Sequence, residues 1–117
     1  MDNSDKNMQV YELRQKLTKL QEENEENRLA ENRLFKHEEK LQALKSQSER
    51  VYENLAQLFS GTELMPYVEA AIEENRSDYK KQLAGIENAR GDIRRSTRQN
   101  LEDEERYNEQ IRRMGEE

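Results

Sequence analysis

The chain has 117 residues, of which 32% are hydrophobic and 39% charged, and its 26 acidic side chains outweigh 20 basic ones to leave a net charge of -6. Globular domains carry nearer ~45% apolar residues, so this composition excludes a compact single core and leaves disorder, a coiled coil, or helices sharing a core with another chain. The absence of cysteine excludes a disulfide scaffold and a thiolate metal site, and the apolar runs are too short to span a membrane.

The chain opens on Met1-Asp2-Asn3-Ser4-Asp5, acidic and polar with no apolar stretch behind it. This predicts no Sec-type signal peptide and a cytoplasmic site of synthesis, with later export by another route left open. The first half then shows a column spaced by seven: Leu13, Leu20, Asn27, Leu34, Leu41, Ser48 and Leu55. A companion column begins Val10, Leu17, Asn24 and resumes after a one-residue slip as Ala30, His37, Leu44, Val51 and Leu58. Together they predict a helix over about 6–59 with one apolar seam.

Between the halves lie Phe59-Ser60-Gly61-Thr62 and the sole proline, Pro66. Gly61 suits the left-handed residue that closes a helix and Pro66 the first turn of the next, so a turn is expected at about 60–65. The second half carries Met65, Ile72, Tyr79, Ile86, Ile93, Asn100, Tyr107 and Met114 without a slip, flanked by Val68, Leu83, Thr97 and Ile111. It predicts a helix over about 66–114. With so short a connector the helices fold back as one antiparallel hairpin over 1–117, an all-α fold with coiled-coil-like arms on the order of 70 Å long.

If the turn centres near Thr62, residues whose numbers sum to roughly 125 face each other. Asn24 and Asn27 then meet Asn100, a polar layer of the kind that fixes register; frayed arms with solvated asparagines are the alternative. Residues 21–28 and 94–100 hold no apolar side chain, so these weak stretches oppose one another. Near the turn, apolar residues double up: Val51 with Tyr52, Leu58 with Phe59, Leu64 with Met65, Tyr67 with Val68. This widens the stripe to that of a bundle helix, so the hairpin should complete a multi-helix bundle with a partner or a second copy.

Nothing in the chain points to catalysis, a cofactor or a bound metal. His37 lies among Glu38 and Glu39, but a metal site needs three or four ligands and there is no second imidazole or thiol, so a half-buried seam histidine is expected. Arg90, Arg94, Arg95 and Arg98, with Lys80 and Lys81, form the one basic cluster. Without interleaved aromatics and with a negative net charge, it reads as an ion-pair or partner-facing surface and not as a nucleic-acid site. Arg90-Gly91-Asp92 spells an adhesion tripeptide inside a helix, where the loop that tripeptide needs is absent. Gly85 and Ala89 share a face that a second helix could approach closely; a tolerated surface glycine is the alternative.

Two helices of about fifty residues joined by an aromatic-x-Gly corner, here Phe59-Ser60-Gly61 with Phe for the usual Trp, resemble the small WXG (ESX) hairpins of type VII secretion. The closer resemblance is to the helical partner proteins encoded beside LXG toxins, which have Glu/Gln/Arg-rich arms of this length. That family's role is to bind the toxin's helical N-terminal domain and direct it to the export machine. The family's export tyrosine, followed four residues later by an acid, is missing: Tyr107 is followed by Ile111, Tyr79 by Leu83 and Tyr67 by Ala71. The Phe-x-x-x-Asp motif of some partners is matched only nearly, by Phe35 with Glu39 and Phe59 with Glu63. A composite signal with the toxin and a second small helical protein is therefore what the resemblance implies.

The expectation is a non-enzymatic binding protein, the targeting factor or chaperone of such a toxin. Its docking residues would be Leu55, Leu58, Phe59, Gly61, Leu64, Met65, Tyr67, Val68 and Ile72, with Asn24, Asn27 and Asn100 setting register. The alternative is a self-associating coiled-coil scaffold, a homodimer included, with no secretion role. Neither nucleic acid nor membrane insertion is expected of either.

Overall fold

The computed structural model describes residues 3–116 and is an all-α helical hairpin of two helices, α1 (Asn3–Leu58) and α2 (Met65–Glu116). α1 begins a little before its heptad pattern, on Asn3-Ser4-Asp5, residue types that suit a helix N-terminus, and α2 begins one residue earlier than expected, on Met65. The chain divides into two compact units: a turn unit, Asn32–Arg90, and a terminal unit, Met1–Glu31 with Gly91–Glu117. Among the described residues only Leu13 and Asn100 are buried, and no side chain is fully enclosed.

The turn is built by three residues. Gly61 has φ 75°, the left-handed region, and an added Cβ would meet nothing within 4 Å; backbone conformation, not space, calls for glycine here. Phe59 N–H donates to Leu55 O at 2.9 Å and Thr62 N–H to Phe59 O at 3.1 Å, which closes α1. Thr62 then works in both directions: its hydroxyl donates to Phe59 O at 2.7 Å and accepts from Leu64 N–H at 3.3 Å, while its carbonyl accepts from Met65 N–H at 3.3 Å. One residue thus serves both the end of α1 and the first N–H groups of α2. Pro66 follows in the first turn of α2, where its missing N–H costs nothing.

The column Leu13, Leu20, Asn27, Leu34, Leu41, Ser48, Leu55 faces inward throughout. Its companion departs from expectation. It does not slip in α1 but continues from Val10, Leu17 and Asn24 at sevens through Glu31, Glu38, Lys45, Tyr52 and Phe59. All but Lys45 are at least half-buried. Leu44, Val51 and Leu58 are instead exposed, at 60%, 57% and 72%, and His37 is exposed too, so it is not a half-buried seam histidine. The slip lies in α2, where the second column runs Val68, Asn75, then after eight residues Leu83, Arg90, Thr97, Glu104, Ile111, all half-buried.

Charges survive in the α1 column because α2 supplies partners. In the turn unit Arg90 pairs with Glu38, both about a quarter exposed (23% and 24%), and Lys45 Nζ sits 4.6 Å from the centroid of the Tyr79 ring. The terminal unit holds Arg94 with Glu31 at 3.4 Å and Lys16 Nζ 5.6 Å from the Tyr107 ring centroid. Near the C-terminus of α2, Glu109 takes both Arg112 and Arg113. The hydrogen bond from Arg112, outweighing desolvation, holds the Glu109 carboxyl below its ordinary range, and Arg113 adds to the effect.

Candidate functional site: an apolar flank of the turn unit

The nine docking residues expected around the turn fall into two groups. Leu55, Phe59, Met65, Val68 and Ile72 are half-buried; they hold the two helices of the turn unit together and are poorly placed to meet anything else. Leu58, Leu64 and Tyr67 are exposed, Tyr67 to 74%, while Gly61 shapes the bend. Each doubled apolar pair therefore has one inward and one outward member: Tyr52 in and Val51 out, Phe59 in and Leu58 out, Met65 in and Leu64 out, Val68 in and Tyr67 out. Adjacent helical residues are ~100° apart, so this division follows from helix geometry once the inward column is fixed.

The outward members share one side. In α1, residues 37, 44, 51 and 58 are spaced by seven and form a line beside Leu34, Leu41, Ser48 and Leu55. In α2 the matching line at sevens is Leu64, Ala71, Asp78 and Gly85, with Tyr67 between its first two members. A groove lined by Leu34, His37, Leu41, Gln82, Gly85 and Ile86 shows that these two lines flank the same side of the turn unit. The opposite side is charged: its grooves are lined by Lys45, Glu49, Arg76, Tyr79 and Lys80 and by Tyr52, Glu53, Ala56 and Ile72. One flank is mainly charged, with Phe35 exposed in line with Glu49, and the other presents Leu44, Val51, Leu58, Leu64 and Tyr67 with nothing over them.

Sequence reasoning placed Leu44 and Val51 inside the seam and so missed them as surface. The signal that could have found them was the unbroken spacing of seven from Val10 to Phe59, hidden because three of its members are charged. Gly85, proposed as a close-approach position, is exposed with no atom within 4 Å of an added Cβ, and it sits on this flank beside His37.

In the terminal unit the three asparagines do form cross-helix contacts, but as two rungs. Asn100 Nδ2 donates to Asn24 Oδ1 at 3.1 Å and toward Glu23 Oε2 at 3.4 Å. Asn27 Nδ2 donates instead to Ser96 Oγ at 3.1 Å and Thr97 Oγ1 at 3.2 Å. Asn100 is 7% exposed, and no buried side-chain polar atom among the described residues lacks a hydrogen bond. The stretches without apolar side chains are thus closed by amides and hydroxyls in place of leucine.

Of the basic cluster, Arg90 is paired with Glu38, Arg94 with Glu31 and Arg95 with Asp92, and Arg90-Gly91-Asp92 lies within α2. Among the described residues, no group of three or more His, Cys, Asp or Glu could hold a metal ion, and no helix is long and apolar enough to cross a membrane. Comparison of the chain with family models, with curated proteins and with solved structures gives no match in any of the three.

Proposed function

We propose that this protein is a non-enzymatic binding module whose turn unit packs, through the Leu44–Val51–Leu58 and Leu64–Tyr67 flank, onto the helical N-terminal domain of a type VII-exported LXG toxin, as its targeting factor or chaperone. The observation that carries the binding role is the uncovered apolar flank. Five large apolar side chains lie on one side of the unit, while the other side is mainly charged and exposes one, Phe35, and such a concentration marks an interaction surface. The choice of partner rests on the resemblance of Phe59-Ser60-Gly61 and the arm lengths to the toxin-associated hairpins.

The test is co-expression with an LXG-type reading frame encoded beside this one. The toxin's N-terminal domain should co-purify with the native chain, and Leu58→Ser with Tyr67→Ser should abolish capture while far-UV circular dichroism stays helical. Undiminished capture by the doubly substituted chain, or no LXG-type neighbour, overturns the reading.

A further inference from the structure

Resting on the reading of the apolar flank as a docking surface for another protein, we infer the chemistry of its occupant: a single amphipathic helix whose apolar stripe is bordered by carboxylates at the end away from the bend. The observation is a change of charge along the flank. His37 and Gly85 line the groove at the part of the flank away from the bend. Arg33 precedes His37 by four residues and Lys40 follows it by three, so both share its side of α1; Lys81 precedes Gly85 by four and shares its side of α2. These three cations are exposed, and none of them forms an ion pair among the described residues. Lys45 facing Tyr79 sets a register in which Lys40 is level with Ala84 and Lys81 with Ala43. Lys40 and Lys81 therefore stand about one helical turn apart along the axis, on either side of the groove. The neighbouring acids are turned elsewhere. Glu38 is held in the seam by Arg90, Glu39 shares the opposite flank with Phe35 four residues before it, and Glu87 lies on the side of Ile86 away from Gly85.

Toward the bend the sign reverses and then the charge ends. Asp78, in line with Gly85 at a spacing of seven, is level with Ser46, and Glu74 is level with Arg50; both acids are exposed. Beyond them the flank is apolar, with Leu58, Leu64 and Tyr67 exposed. Leu44, Val51 and Leu58 recur at sevens, the spacing met by a helix that carries apolar residues at i, i+3, i+4 and i+7. Gly85 offers no side chain to hold such a helix away. From Arg33 to Leu58 the strip runs on the order of 38 Å, which a helix of about 25 residues covers. Carboxylates on its far turns meet Arg33, Lys40 and Lys81, which have no acid of their own, and cations one or two turns nearer the bend meet Asp78 and Glu74. An anionic bilayer would be drawn to the same three cations but would press on Asp78 and Glu74 midway, so the order of charges favours a helix over a membrane.

The probes are two synthetic peptides of about 25 residues that share one leucine stripe on an alanine and glutamine background. One carries glutamates beside the stripe over two turns at one end, and the other carries lysines in the same places. Fluorescence anisotropy on the purified full chain at low ionic strength measures both affinities. The native chain should bind the glutamate peptide about tenfold more tightly than the lysine peptide. K40E with K81E should invert that preference, and Lys40→Gln with Lys81→Gln should erase it. Leu58→Ser with Tyr67→Ser should weaken both peptides alike. All four positions are exposed, and unchanged far-UV circular dichroism will show that each variant folds. Equal affinity for the two peptides, a preference that K40E with K81E leaves unmoved, or no binding of either peptide overturns the inference. A native chain that sediments as a dimer and becomes monomeric on Leu58→Ser with Tyr67→Ser gives the flank to a second copy and overturns it too, as does flotation with phosphatidylglycerol vesicles that K40E with K81E abolishes. An LXG domain captured equally by the native chain and by K40E with K81E leaves the toxin reading standing and removes this one; peptide discrimination without capture of an LXG domain does the reverse.

Discussion

Replacing Asn100 tests whether the amide rungs hold the terminal unit in register. Asn100 is 7% exposed and donates to Asn24 and Glu23. Asn100→Ala removes both bonds and leaves the Asn24 carbonyl half-buried without its donor. Because Asn24 and Glu23 are only half-buried, water recovers part of the loss, and the cost should fall at about 1–2 kcal/mol. Asn24→Leu with Asn100→Leu should behave oppositely: two leucines at inward positions bury apolar area and should stabilise the chain by about 1–2 kcal/mol over native. Urea unfolding followed by far-UV circular dichroism measures the stabilities. Register is read separately by a Gln21→Cys, Glu104→Cys pair, clean in a chain with no cysteine, placed where Gln21 and Glu104 share a 3.3 Å hydrogen bond. The leucine pair should cross-link less completely despite its higher stability, since leucine tolerates sliding and a two-amide rung does not. A neutral Asn100→Ala, together with equal cross-linking in the leucine pair, would refute the register role.

Three further outcomes follow from the geometry. Gly61→Ala should cost about 1–2 kcal/mol, from the left-handed φ alone, and Gly61→Asn less; equal melting temperatures for native and alanine chains would contradict the turn. Glu38→Ala should destabilise by about 1–2 kcal/mol and Glu31→Ala by about 0.5 kcal/mol or less, because the Arg94 partner of Glu31 is far more exposed than the Arg90 partner of Glu38; equal losses would mean that burial does not separate the two pairs. The lowered Glu109 pKa means that its stabilising effect is present above the ordinary value of 4.5 and is lost as pH falls through the lower folded value. Amide exchange in the last turns of α2 should therefore rise on acidification, and Glu109→Gln should abolish that dependence.

Much of the hairpin could be read from spacing alone. Leu13, Leu20, Leu34, Leu41 and Leu55 recur at sevens and face inward, and Gly61 with Pro66 punctuates the two helices, so the architecture needed no tertiary information. The second α1 column did not yield to the same reasoning. Its inward members Glu31 and Glu38 look like surface residues until Arg94 and Arg90 arrive from the other helix, and only the folded hairpin brings them together. An apolar pattern then drew the eye one residue aside, to Leu44, Val51 and Leu58, which belong to the surface. The expected docking residues divide into inward and outward members for the same reason, since a doubled apolar pair does not say which member points inward. Thr62 left no periodic trace at all, because its role is a local set of hydrogen bonds made by one hydroxyl and one carbonyl.

Each unit also carries one lysine held over a tyrosine ring, Lys16 with Tyr107 and Lys45 with Tyr79, in a chain without tryptophan. Two native probes thus stand in different parts of one molecule, and ring signals at Tyr107 and Tyr79 report local opening of each without a label. The amide rungs lie between the Leu13–Leu20 contacts and the turn unit, so loss of the Lys16–Tyr107 and Lys45–Tyr79 contacts at different urea concentrations would show the two units opening separately.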